Sequence, residues 1–195
     1  MKTRNNILLL SIAAMLCCSL SLRAQDRFSI KKRWNINLGI APDFTSSGRE
    51  PGHEFKLSAH YGVNSFLALG GYTGYSKYIY FLGNNNPLGV GNRFLYGISA
   101  KAHILPFFIQ SEDFRFDLYL NSRMGIDHRT GNPNKMAKSV LFRLHVGSGL
   151  AFYPFNRWGI FVEYGYDNHG IIDYHKHWVF EGGIVYKFRL NRGCL

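Results

Sequence analysis

Residues 176–188 read KHWVFEGGIVYKF. Taken two at a time, Trp178, Phe180, Gly182, Ile184, Tyr186 and Phe188 form one set, which is apolar and aromatic. Val179, Glu181, Gly183, Val185 and Lys187 form the other, which is mixed and partly charged. A period of two separates the faces of a β-strand, whereas a helix would scatter both sets around its circumference. The run is longer than the usual strand of ~5–6 residues. It suits a tilted strand that crosses a bilayer, which needs ~9–11.

Seven further segments follow the same rule, near 33–44, 54–63, 66–82, 93–104, 113–124, 139–153 and 158–167. Residues 113–124 are the clearest case. Phe114, Phe116, Leu118 and Leu120 alternate with Arg115, Asp117, Tyr119, Asn121 and Arg123. In 66–82 the faces do not separate, and Gly70-Gly71 is the expected place for a bulge that shifts the phase. The links after strands 1, 3, 5 and 7 read as long and polar, at 45–52, 82–92, 127–138 and 168–175. Those after strands 2, 4 and 6 read as shorter. An even strand number with turns at one end and loops at the other is the pattern of a transmembrane barrel. The expected fold is all-β, an eight-stranded antiparallel transmembrane barrel over 33–188.

Ahead of it, Lys2 and Arg4 precede the short apolar run 7–16, and Leu22-Arg23-Ala24 ends on a small residue. That is the layout of a cleaved secretory signal, residues 1–24. Residues 25–32 are then a lead-in and 189–195 a tail. A lipoprotein signal at Cys17 or Cys18 is disfavoured by the bulky Leu16. Without the signal, Cys194 stands alone, so no intrachain disulfide is expected. No zinc spacing and no cofactor motif occur. No other stretch reaches the ~18–20 apolar residues of a membrane helix, so a chain that enters a membrane must do so as a closed barrel. The net charge of +11 raises the question of nucleic acid. Apart from Lys31-Lys32-Arg33 the cations are scattered singly, and no nucleic-acid partner is expected.

Periodicity alone does not say which face is inside. A soluble lipocalin-like barrel would enclose the apolar face around a small ligand. Aromatics near strand ends argue for the reverse. Trp34, Phe94, Phe114, Phe152, Trp158, Tyr166, Trp178 and Phe188 fall where interfacial girdles belong. The polar face carries both signs of charge, and an eight-stranded lumen is only wide enough for side chains. Buried charges persist when paired. A lumen network of Lys56, Lys101, Arg115, Asp117, Arg123, Arg143, Glu163 and Glu181 is therefore expected, with no pore.

At the last strand the pattern becomes more specific. Glu181-Gly182-Gly183-Ile184-Val185-Tyr186-Lys187-Phe188 resembles the insertion signal of outer-membrane barrels. The chain from 25 onward resembles the small eight-stranded outer-membrane proteins of the OmpX and OmpA-barrel type. The resemblance implies recognition of Glu181, Gly183, Tyr186 and Phe188 by the barrel-assembly machinery, and residence in the cell outer membrane among lipid and lipopolysaccharide. Family members usually end at the final aromatic, whereas seven residues, 189–195, follow Phe188 here.

Some barrels of this size modify lipid A with a Ser nucleophile, a His base and a carboxylate. No Ser lies in 158–167 or 176–188. Ser148 and His145 stand three apart and so face opposite sides of a strand. His53, Asp43 and Ser46 or Ser47 form no arrangement beyond a polar loop. No catalytic residue is assigned. His169, His175 and His177 share one loop without the spacing of a metal cage and read as solvated histidines. The basic loop with Arg129, Lys135 and Lys138 is a candidate contact for lipopolysaccharide phosphates. The reading is a non-enzymatic, monomeric outer-membrane barrel that acts through its loops. A lipid A-modifying enzyme and a soluble ligand-binding barrel are the alternatives.

Overall fold

The computed structural model describes residues 30–43, 52–82, 86–108, 115–130, 140–169 and 175–189. The expected signal peptide, the tail beyond Arg189, Cys194 and most of the loops lie outside them. Eight strands close into one antiparallel barrel in sequence order: β1 (Trp34–Asp43), β2 (Gly52–Gly62), β3 (Leu67–Leu82), β4 (Asn86–His103), β5 (Phe116–Thr130), β6 (Val140–Phe152), β7 (Trp158–His169) and β8 (His175–Phe188). The barrel closes where β1 meets β8, with Trp34 opposite Phe188 and Ile40 opposite Gly182. Closure leaves no unpaired strand edge, which a lipid environment could not satisfy.

Alternation decides the faces. β5 from Phe116 to Arg123 runs exposed, buried, exposed, buried without a break, and β6 does the same from Val140 to His145. The buried set is polar and the exposed set apolar, so this barrel is built inside out relative to a soluble one. A small apolar cluster does sit inside, near the turn end, where Tyr119, Ala151, Phe161 and Val185 pack with Tyr153.

Four expectations about the strands need correcting. The pairing of β3 runs unbroken through Gly70 and Gly71, and the register shift comes later, between Tyr80 and Phe81. The link expected over 82–92 is mostly strand, because β3 and β4 stay paired to Leu82 and Asn86 and leave only 83–85 between them. The loop expected to begin at Asp127 begins after Thr130, since β5 continues to that residue. The link from β4 to β5 is the long one at the turn end, with a 3-10 turn at Leu105–Phe107. Backbone ladders extend as long as a neighbouring strand offers hydrogen bonds, and polar or glycine-rich composition does not stop them.

The tight turns show why the sequence folds here. The Asn64 Oδ1 accepts from the backbone N–H groups of Phe66 (3.0 Å) and Leu67 (2.6 Å), which ties the β2–β3 turn. At the start of β1, Lys32 takes φ +60°. This kink lets its N–H reach the Gly62 carbonyl at 2.8 Å. A Cβ on Gly62 would stand 1.8 Å from the Ile30 carbonyl oxygen, so only glycine fits under this hook.

Candidate functional site

The outer surface is one of the two sites that matter. Leu38, Ile40, Leu57, Leu69, Ile98, Leu120, Val146, Leu150, Val162 and Ile184 are exposed large apolar residues spread around the barrel. Aromatic pairs bound this band at both ends. At the turn end Trp34 meets Tyr61 (5.2 Å), Trp158 meets Tyr186 (4.6 Å) and Phe116 meets Phe152 (4.9 Å). At the loop end Tyr75 meets Phe94 (5.4 Å), and Trp178 stacks on Tyr164 (5.1 Å). A continuous apolar belt of this size has no place on a water-soluble monomer. An apolar band bounded by aromatic rings suits a hydrocarbon layer with interfacial girdles. The soluble alternative expected these side chains around a central ligand cavity, and the structure puts them outside.

The lumen is the second site. Its centre is Arg123 on β5, which reaches Glu181 (2.8 Å) with one terminal nitrogen and Glu163 with the other. Lys101 on β4 also binds Glu163 (2.7 Å), as do the Tyr119 hydroxyl (2.9 Å) and the Asn121 amide (2.8 Å). Lys56 on β2 joins this group to the next, binding Glu181 at 3.0 Å and Glu54 at 2.8 Å. Towards the loops, Arg143 on β6 grips both Glu54 oxygens (3.1 and 3.0 Å) and Asp167 (3.0 Å), and Arg93 binds Asp127 (2.9 Å). Towards the turns, His103 and Lys187 hold Asp117 at 2.8 and 3.3 Å. Each carboxylate therefore has a cation or an imidazole in reach, the condition on which buried charge is tolerable.

Of the eight residues expected in the network, Lys56, Lys101, Asp117, Arg123, Arg143, Glu163 and Glu181 are buried in the lumen. Arg115 is not. It precedes β5, stands exposed, and donates to the Pro154 carbonyl at 2.8 Å, because the strand begins one residue after it. Glu54, Arg93, Asp167 and Lys187, with His60, His103 and His145, were not named in the network, although the expected strands already contain them in step with its members. Asp127 alone lay beyond the expected end of its strand, and its signal was the same alternation followed to the true end of β5.

The residues of the insertion signal divide by face. Glu181 is a lumen carboxylate. Gly183 lies against β1, where a Cβ would stand 2.0 Å from the Leu38 carbonyl oxygen. Tyr186 and Phe188 stack at 5.8 Å in the turn-end girdle.

Among the described residues, the Ser and His side chains singled out in the sequence do not meet as a nucleophile and base. His145 is buried against Asp167 (2.7 Å), while Ser148 is exposed on the outer face. The His60 Nε2 lies 2.5 Å from the Ser99 hydroxyl, but its Nδ1 has no carboxylate partner, and both residues are sealed in the lumen. A cavity beside Asn35, Asn37, His103 and Asp117 has a volume of about 10 Å³, room for one water at most. Among the described residues no three of His, Cys, Asp and Glu form a metal-holding group. The side chains of His169, His175 and His177 lie outside the described set, as do Ser46, Ser47, Lys135 and Lys138. Arg129 sits near the end of β5, part-buried, with Asp127 at 3.2 Å.

No protein-family model matches this chain, and no curated protein matches it. Solved structures do. The N-terminal β-barrel domain of Pseudomonas aeruginosa OprF aligns over 81% of this chain and 98% of its own, at 14% identity and a TM-score of 0.53. Neisserial surface protein A aligns over 80% and 96%, at 16% identity and a TM-score of 0.54. The outer membrane protein OprG of Pseudomonas aeruginosa aligns over 85% and 100%, at 10% identity and a TM-score of 0.57. At such identities the likeness is one of fold, and it is a likeness over nearly the whole length of each barrel.

Proposed function

We propose that this chain is an integral outer-membrane barrel without enzyme activity, whose role is structural or surface-interactive and is exercised by its loops. The observation that carries the reading is the inside-out distribution of residues. An apolar belt faces outward, and a paired-charge network fills the lumen. A filled lumen provides neither a path for solutes nor a substrate cleft, so recognition falls to the segments 44–51, 83–85, 131–139 and 170–174. The full pairing of every strand fits a monomer, and the aromatic end of β8, Tyr186 and Phe188, is the part offered to the assembly machinery. The loop with Lys135 and Lys138, continuing from Arg129, is the segment suited to lipopolysaccharide phosphates by charge.

Two measurements test this. Lipid A mass profiles with and without the protein should be identical, and a new acylated or deacylated species would favour the enzyme reading instead. Binding of the refolded barrel to lipopolysaccharide should weaken several-fold in a K135Q/K138Q variant. Unchanged binding would remove that loop from the proposal.

A further inference from the structure

Three buried polar atoms gather without partners towards the turn end of the lumen. Asn35 and Asn37 on β1 are buried, and the Oδ1 of each meets no donor among the described residues. The Nε2 of His103 on β4 is the third such atom. All three residues line the same cavity, whose volume is about 10 Å³. A buried polar atom without a hydrogen bond is costly. A cavity lined by several of them differs from an apolar void, because it can hold water where the void stays dry.

The charges around this cavity are already matched. Glu163 holds Lys101 at 2.7 Å, and Asp117 is held by His103 at 2.8 Å and by Lys187 at 3.3 Å. The ammonium groups of Lys101 and Lys187 disfavour a further cation, and the amide oxygens of Asn35 and Asn37 disfavour an anion. A neutral molecule with hydrogens to give is what the site lacks. Water offers two O–H groups for the two amide oxygens, and its lone pairs can take a hydrogen on the His103 Nε2. The imidazole is set in place for this. Its Nδ1 lies against Asp117, and its ring tilts against Tyr119 at 5.6 Å. The volume suits one water and nothing larger.

We propose that this cavity is a binding site for one ordered water molecule, held by Asn35, Asn37 and His103, which joins the closing strand β1 to the paired charges on β4 and β5. From Trp34 to Ala41, β1 carries no charged residue, so it has no ion pair of its own to offer there. Asn is depleted in strands, yet two stand in step on the inner face of β1. Through the water their amides reach the network that the neighbouring strands enter with charges. The site belongs to the lumen and is independent of what the loops bind.

The test is oxygen-17 relaxation dispersion on the refolded full barrel in detergent micelles, which counts waters held longer than the particle takes to tumble. Ala151 also lines the cavity, and Ala151→Val puts a larger apolar side chain there without removing any of the three polar atoms. The native barrel should show one more long-lived water than this variant. The variant should also unfold at lower urea, because the polar atoms lose their partner. Asn37→Leu removes one acceptor and should lose the same water, which keeps the comparison available if Ala151→Val does not refold. An equal count in the native barrel and the variants overturns the proposal. So does an Ala151→Val barrel that unfolds at higher urea than the native one, since filling a dry cavity only adds contacts.

Discussion

Arg123 shows how much the lumen depends on single residues. It holds Glu163 and Glu181 together from one guanidinium, and two carboxylates so placed would repel each other without it. Truncation to Ala should destabilise the barrel by about 3–5 kcal/mol, measured by urea unfolding in lipid vesicles. Arg115→Ala, which removes an exposed cation, should stay within about 0.5 kcal/mol. A comparable loss for both would mean that the paired lumen charges do not hold the barrel. Tyr119 is the second such residue. Its ring lies across Gly149 on β6, where a Cβ would stand 2.5 Å from the ring carbons. Gly149→Val should displace the ring, weaken its bond to Glu163 and lower stability by about 1–3 kcal/mol, with a Gly149→Ala variant in between. At this scale the sequence was partly legible. Lys56, Arg123, Arg143, Glu163 and Glu181 announce themselves as charges in step with glycines on one face of a strand. Which of them pair with which is not legible, because partners 40 or 125 residues apart are fixed by barrel shear and not by spacing.

Among the elements, alternation was enough to find all eight strands and to sort most of their faces. It failed where composition misled. Arg123, Gly125 and Asp127 continue in steps of two along β5, yet the polar run that follows reads as a loop, and so Asp127 was placed outside the lumen it occupies. In β3 the two faces looked alike because Gly70, Gly71 and Gly74 carry no side chain to sort. Pairing with β2 and β4 fixes the phase, with Ala68, Tyr72 and Ser76 inward. The outward face makes its own prediction. Ile98 on β4 is 61% exposed and lies between the two girdles. Ile98→Lys should cost about 2–4 kcal/mol in a bilayer, read from the unfolding midpoint in vesicles. A change near zero, as expected for a water-exposed surface position, would place that face in water.

For the whole molecule, the expected export signal, the closed even-stranded barrel and the reversed polarity agree with one another. The polarity was the least legible of the three from sequence, since a period of two is the same for a barrel filled with oil and for one surrounded by it. Aromatic residues near strand ends tipped the reading; Phe114 lies outside the described residues, and the structure places Trp34, Phe94, Phe152, Trp158 and Trp178 in ring pairs at the two rims of the belt. What the loops recognise was not legible, because loop chemistry of this kind is not set by the barrel that carries it. The claim that decides the rest is that the apolar belt faces lipid on a closed barrel. Outer-membrane fractions loaded on a gel with and without boiling measure this directly. The account predicts that the protein is found in that fraction and that its mobility changes on boiling, as a detergent-resistant barrel opens. A soluble protein with one mobility under both conditions would contradict it.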